Sequence, residues 1–252
     1  MKNFIAIGLL IGATSLVNVS QARELTAKEI VQKADQKIRG ETSQGSMSMK
    51  IVRPTWERIV EMKSWSKGDE YFLIYITAPA KEKGQVFLKR ENEMWNWVPS
   101  IDRMIKIPPS MMMQSWMGSD FTNDDLMQQS SIVKDYEHEL IGIDTVRGKA
   151  CYKIELTPKP EAPVVWGKII TWITKDGFNS WKNEYYDEDL ELINVENAYE
   201  LKDFGDRTLP SRMVIEPVDD PGNKTILIFD DMTFNEPIDD DFFTQQNMKR
   251  VR

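Results

Sequence analysis

Cysteine and histidine are almost absent from this chain: among 252 residues there is one of each, Cys151 and His138. A single thiol cannot form an internal disulfide, so stability has to come from core packing. Hydrolase triads, thiol nucleophiles and most zinc sites need histidine or cysteine in company, and neither has company here. A glycine-rich phosphate loop is missing as well. His138 stands between Glu137 and Glu139 in an alternating run and reads as a surface strand residue, while Cys151 opens the run to Leu156 and reads as a small core residue. The acidic groups Asp124-Asp125 and Asp239 to Asp241 sit at helix starts, where capping and the helix dipole account for them, with a calcium site as the alternative. The expectation is a protein that is not an enzyme, with no catalytic residue, no metal and no cofactor.

Long apolar runs are missing beyond the N-terminus. Lys2 gives a positive start, Phe4 to Val19 is apolar but shorter than the ~20 residues a membrane span needs, and Ser20-Gln21-Ala22 supplies small residues where a signal peptidase cuts. The expectation is a signal peptide over 1–22, cleaved after Ala22, and a single domain over 23–252 in the periplasm. Arg23 stands where a lipoprotein would carry its lipidated cysteine. Basic charge is also in deficit, with 32 Lys and Arg against 40 Asp and Glu and a formal net charge of −8. That balance argues against nucleic acid and anionic membrane faces as standing partners.

What the chain has in excess is soft apolar bulk: eight Trp and fourteen Met in a sequence that is 29% charged. Thr26 and Glu29 form a capping box with Leu25 and Ile30 as a staple, Arg39-Gly40 closes the helix, and Ile30, Val31, Ala34 and Ile38 share one side. After Gly40 the period changes to two. Met47, Met49 and Ile51 share one face of a strand; Trp56, Arg58, Val60 and Met62 share one face of the next. Further strand-like runs follow over 70–77, 85–91, 94–98, 101–107, 132–141, 150–157, 167–174, 179–187, 191–203, 211–217 and 224–232, broken by turn residues such as Arg147-Gly148 and Pro221-Gly222-Asn223. Some eleven to thirteen strands joined by tight turns predict an antiparallel meander, either a barrel or one strongly curved sheet.

Two segments interrupt the meander. Pro108-Pro109-Ser110 ends a strand, and Met111-Met112-Met113-Gln114-Ser115-Trp116-Met117-Gly118 follows with five large apolar residues in seven positions, more than one stripe of a surface helix holds. Asp120 to Leu126, carrying Phe121, offers another helix start, and Ile238 to Phe243 suggests a last helical turn. A sheet of eleven or more strands encloses more space than its side chains readily fill. The residues expected to line or cover that space are Met47, Met49, Ile51, Trp56, Val60, Met62, Trp95, Trp97, Met111, Met112, Met113, Trp116, Met117 and Phe121. Methionine suits a surface that accepts variable apolar partners, and tryptophan suits a rim. The same residues would also serve as ordinary core.

The capped first helix, the run Ser115 to Leu126 and the hairpin Thr145-Val146-Arg147-Gly148-Lys149-Ala150-Cys151-Tyr152-Lys153-Ile154 resemble the outer membrane lipoprotein-sorting proteins of the LolA-like superfamily, in a divergent branch. The ending, from Phe234-Asn235 to Asp239-Asp240-Asp241-Phe242-Phe243-Thr244, fits as well. The resemblance implies a mainly β fold, an incomplete (half-open) antiparallel β-barrel of about 11 strands with short covering helices. It implies a periplasmic carrier that binds lipoprotein acyl chains or free lipid for transfer toward the outer membrane, meeting an inner-membrane transporter and an outer-membrane acceptor and working as a monomer. The alternative is an accessory subunit of a membrane transporter whose apolar groove binds a peptide or protein loop. In that family a barrel arginine fastens the lid; Arg53 and Arg58 are both candidates, and no motif chooses between them.

Overall fold

The computed structural model describes residues 23–127 and 131–252. The expected signal peptide, 1–22, lies outside the described residues. The first element, α1 (Ala27–Arg39), forms where the capping chemistry places it. The Glu29 amide donates to Thr26 Oγ1 at 3.2 Å and the Thr26 amide donates to Glu29 Oε2 at 2.8 Å, closing the reciprocal box. Gly40 ends it with φ +67°, a conformation that costs other residues a Cβ clash. Ala27, Ile30, Val31 and Ala34 are buried, whereas Ile38 is exposed at the helix end.

Thirteen strands follow, two more than the resemblance implies: β1 (Thr42–Arg53), β2 (Trp56–Lys67), β3 (Tyr71–Ala78), β4 (Val86–Arg90), β5 (Glu93–Val98), β6 (Arg103–Ile107), β7 (Tyr136–Val146), β8 (Lys149–Pro158), β9 (Lys168–Thr174), β10 (Ser180–Tyr186), β11 (Leu192–Asp203), β12 (Thr208–Pro217) and β13 (Lys224–Phe234). They form one antiparallel sheet in the order β6-β5-β4-β3-β2-β1-β13-β12-β11-β10-β9-β8-β7. Among the described residues only β1 and β13 pair out of sequence, at the middle of the sheet. Gly45 makes that pairing close: a Cβ there would collide with the Asp231 carbonyl and Met232. A bulge follows between Ser46 and Met47.

This topology creates a segment that crosses the open side of the sheet. The chain enters the sheet at its centre, runs out to the edge β6, and must then travel to the opposite edge β7. The crossing segment, described over residues 108–127 and 131–135, holds short 3-10 turns at Pro109–Met111 and Trp116–Gly118 and the helix α2 (Asn123–Met127). One face of the sheet carries a cluster to which strands from both halves contribute, Phe87 and Met94 from one side and Ile154, Ile169 and Ile173 from the other, together with α1 and the crossing segment. Strands so distant in sheet order meet only if the sheet curls around that face, and β6 and β7 stay unpaired on their outer edges. The fold is a half-open β-barrel.

The outer face is also partly covered. The C-terminal segment, with a 3-10 turn at Asp240–Phe242 and α3 (Gln245–Met248), lays Phe243, Met248 and Val251 on Leu73, Tyr75, Val86, Leu88, Trp95 and Trp97. A third cluster, with Cys151, Ile170, Trp172 and Trp181, lies behind β8 to β10. No described helix is long and apolar enough to cross a membrane.

Candidate ligand cavity

Two arginines of the β1–β2 hairpin hold the crossing segment against the inner face. Arg53 reaches Asp120 with Nη2–Oδ1 and Nη1–Oδ2 both at 3.0 Å, and donates from Nη2 to the Gly118 carbonyl at 2.9 Å. Asp120 also accepts from Thr225 Oγ1 of β13 at 2.7 Å. Arg58 donates from Nη2 to the Met117 carbonyl and faces Glu82 at 3.7 Å. Trp116, fully buried, tilts against Phe87 of β4 at 5.1 Å between ring centroids. The seat is imperfect. Arg58 Nε, Glu82 Oε2, Trp116 Nε1 and Asn96 Oδ1 (the last on the strand residue paired with Phe87) are buried without a hydrogen-bond partner. Each such group costs about 1–3 kcal/mol.

Two apolar cavities open on this face. The first, of about 220 Å³, lies beside the lid and is lined by Asn92, Met94, Ile107, Pro109, Met112, Met113 and Pro163 to Val165. The second, of about 120 Å³, runs beneath α1, between Val31, Ala34, Ile38 and the strand residues Leu156, Ile169 and Ile173. The rest of its wall is Ile132 and the polar side chains of Asp35, Thr171, Ser180, Asn183 and Tyr185. Both volumes fall below the roughly 300–1,000 Å³ of ordinary ligand pockets.

Behind that polar wall lies a buried cluster of titratable groups. Glu196 of β11 accepts from Asn183 Nδ2 at 2.8 Å. Burial first, and then the nearby Asp125 carboxylate, push its carboxyl up to about 7. Asp125 accepts from Trp166 Nε1 at 2.9 Å and from the Thr122 amide at 2.8 Å, yet burial raises it to about 6. Burial also raises the hydroxyls of Tyr136 and Tyr185. Among the described residues no group of three or more His, Cys, Asp and Glu side chains is placed to hold a metal ion. His138 is half-buried rather than on the surface, its Nε2 2.7 Å from the Ile132 carbonyl, and burial lowers its pKa. Cys151 is buried and unpaired, with its thiol pushed up by burial.

The structure brings Met47, Met49, Ile51, Val60, Met62, Met112, Trp116 and Phe121 into the inner cluster, with Met111 and Met117 packed at its margin. Three expected residues stand elsewhere. Trp95 and Trp97 do share a face, but strand alternation points them outward under the C-terminal segment while Met94 points in. Both faces of β5 are apolar, so the pattern could not choose between them. Trp56 stands at the β1–β2 hairpin tip, 47% exposed, with the Arg53 guanidinium 5.8 Å from its ring centroid. Met113, although 59% exposed, lines the first cavity as expected. Pro163, Val164, Val165 and Trp166 were missed. Their apolar run between two strands was the available signal. Glu196 was missed too, since a lone acid among strand residues looks like a solvated one, while Asp125 was read as a helix-start acid and its burial against Trp166 left no local signal.

Comparison with known proteins agrees with this architecture. A domain assigned to an outer membrane lipoprotein-sorting protein of Vibrio parahaemolyticus superposes with a TM-score of 0.79 at 20% identity, over 89% of this chain and 98% of that one. A DUF1329 family protein from Desulfovibrio piger gives 0.80 at 23% identity over 88% and 97%, and a LolA superfamily protein from Nitrosomonas europaea gives 0.77 at 23% over 89% and 100%. A sporulation protein, YdcC, of Bacillus subtilis is 24% identical over 151 residues, 59% of this chain, so the chain spans less than half of that relative, 41% of its length. A family model described as "-like: Uncharacterized protein" matches residues 68–250, well over half of the chain. The chain belongs to that family, and its fold is that of a divergent LolA-like protein.

Proposed function

We propose that the chain is a periplasmic carrier that takes up lipoprotein acyl chains or another lipid in the inner-face cavities, with the crossing segment as a lid that yields on loading. The observation that carries this reading is the pairing of two apolar cavities with a lid that is fastened at few points and seated imperfectly. Burying a ~16-carbon chain contributes on the order of 12 kcal/mol gross. A permanently open cavity would bind too tightly to release its cargo, and the closed one is too small to admit it. A lid whose own packing competes with the cargo resolves both difficulties. Met111, Met112 and Met117 provide flexible, polarizable packing that exchanges readily for an alkyl chain. The periplasmic placement rests on the N-terminal charge, apolar run and small-residue site. Residues 23–252 act as one domain; Met112 lines the first cavity, and Met47, Met49, Ile51, Val60, Met62, Trp116 and Phe121 form the inner-face packing that loading opens.

The test is organic extraction of protein purified from membrane-containing cells, alongside titration with a fluorescent neutral acyl-chain probe. Stoichiometric lipid and saturable probe uptake are expected. Neither lipid nor uptake would favour instead a groove for a peptide or transporter loop.

A further inference from the structure

The two outer edges of the sheet are built differently. β6 is five residues long and carries Arg103 and Lys106, the short and charged kind of edge that discourages pairing. β7 is eleven residues long, and Leu140, Ile141 and Ile143 stand on it 44%, 41% and 63% exposed. The turn from β7 to β8, Arg147-Gly148, has both residues at positive φ, so Val146 and Lys149 form the hydrogen-bonded closing pair. Alternation from there turns the amides and carbonyls of Thr145 and Ile143 away from β8, and beyond the bulge those of Leu140. The Thr145 amide is taken by Asp144 Oδ1 at 2.7 Å. Among the described residues no backbone group pairs with the rest of this row.

The side chains flanking the edge divide by face. Leu140 and Ile143 lie opposite Ile154 and Tyr152 on the inner face, whereas Glu139 lies opposite Glu155 on the outer one, with Glu137 two residues away. Like charges directly opposite each other repel. Among the described residues none of these three carboxylates is in an ion pair. Lys153, on the same face of β8, stands over the Trp172 ring at 5.0 Å, and Lys159 donates to the Lys134 carbonyl at 2.6 Å. Arg147 is turned to the carbonyls of Trp181 and Ala198, at 2.7 and 2.9 Å.

We infer that β7 is a docking edge for an extended segment of another protein, which adds to the sheet as a further strand and alternates lysine or arginine with apolar residues. This goes beyond the carrier reading and does not depend on it. Main-chain hydrogen bonds to the row at Leu140, Ile143 and Thr145 supply affinity, and the alternation supplies specificity. One side of the incoming strand meets Leu140 and Ile143, and the other meets Glu137, Glu139 and Glu155. An uncharged strand would leave the repulsion between Glu139 and Glu155 in place, and a basic one relieves it. A second copy of this chain is the poorer occupant. It carries a formal net charge of −8, and its own β7 would bring the same carboxylates to the junction.

The experiment titrates the mature protein with three fluorescently labelled eight-residue peptides, alternating lysine with valine, glutamate with valine, and lysine with proline. The last keeps the charge but lacks every second amide. The lysine–valine peptide is expected to bind at least about tenfold more tightly than either control. It should slow amide exchange at residues 140–145 and leave β6 unchanged. Ile143→Pro removes an outward amide that the ladder with β8 does not use, and should weaken binding at least about tenfold while circular dichroism stays native. Glu139→Lys gives Glu155 a partner across the ladder, so it keeps the fold and should weaken binding severalfold even if the proline variant unfolds. Equal binding of the lysine–proline peptide would reduce the effect to charge alone and overturn the inference. So would equal binding of the glutamate–valine peptide, no binding at all, or protection confined to residues outside β7. Dimerisation of the free protein that Ile143→Pro abolishes would also overturn it, by giving the edge to a second copy.

Discussion

Arg53 and Asp120 join the barrel rim to the lid by a two-point ion pair, with both N–O distances at 3.0 Å and the side chains only 15% and 8% exposed. Removing one member of such a buried pair leaves the other charge uncompensated, at a cost of about 3–5 kcal/mol. If the crossing segment yields as the carrier reading proposes, the charge escapes to water by lifting that segment rather than by unfolding the sheet. Arg53→Met should therefore speed amide hydrogen exchange across residues 115–127 and raise the initial rate of acyl-probe loading severalfold. The exchange of β1 and β13 should change little. Unaltered exchange in the lid would show that Arg53 is not its fastener.

Met112 is 7% exposed and lines the cavity beside the lid. Met112→Asp places a charge on the apolar wall, where it must either ionise at high cost or stay protonated. Probe uptake should fall by at least about tenfold while far-ultraviolet circular dichroism stays native. Trp116→Asp is the harsher change, because Trp116 is fully buried against Phe87. It should abolish uptake and dislodge the lid together. Undiminished uptake in Met112→Asp would remove the first cavity from the binding path.

The buried carboxyls make stability depend on pH in a defined sense. Glu196 and Asp125 are both raised, to about 7 and about 6, so the folded state holds protons that the unfolded chain releases near pH 4. A raised folded value contributes stability that is fully present below the unfolded value and is lost as pH rises through the folded one. The protein should lose thermal stability between pH 5 and pH 8. Forcing either carboxyl to ionise costs on the order of 3 kcal/mol. Glu196→Gln removes one such group: its Tm should match the wild type near pH 4.5 and exceed it by several degrees at pH 8. A variant that tracks the wild type across the range would show that Glu196 is not the titrating group.

The strands and α1 were legible because local chemistry decides them. The capping box at Thr26 and Glu29, the positive-φ turn at Arg147-Gly148 and the alternation of Met47, Met49 and Ile51 each need only a few neighbouring residues. The side of the sheet that β5 presents to the cavity was not legible. Trp95 and Trp97 face an outer core made by Phe243, Met248 and Val251, nearly 150 residues later, and no local signal tells two apolar faces apart. The lid was visible as excess apolar residues, but its fastening was not. Arg53 and Arg58 both grip it through the Gly118 and Met117 carbonyls, and main-chain acceptors leave no trace in side-chain pattern.

That outer placement is itself testable. Trp97→Ala should cost about 3–5 kcal/mol of stability, as expected for a buried aromatic truncated to alanine. Probe affinity, measured on the folded fraction, should stay within about twofold. Met62→Ala, on the inner face, should alter probe affinity in addition to stability. A loss of probe affinity in Trp97→Ala as large as in Met62→Ala would contradict the division between the two faces.

Cys151 and His138 complete the set because each is chemically capable and structurally silenced. The thiol is fully buried beside Ile170, Trp172 and Trp181, and burial raises its pKa, which lowers the thiolate fraction that any nucleophilic role requires. In the native protein it should resist alkylation by iodoacetamide at pH 8 and react only as the protein unfolds, so the labelling rate should follow global opening. His138 keeps its ring against the Ile132 carbonyl, and its lowered pKa leaves it neutral at pH 7. Cys151→Ala and His138→Ala should each leave probe loading within twofold of the wild type, with any effect confined to about 1 kcal/mol of stability. Rapid native-state alkylation, or a large loss of loading in either variant, would return a chemical role to the two residues that this chain has in shortest supply.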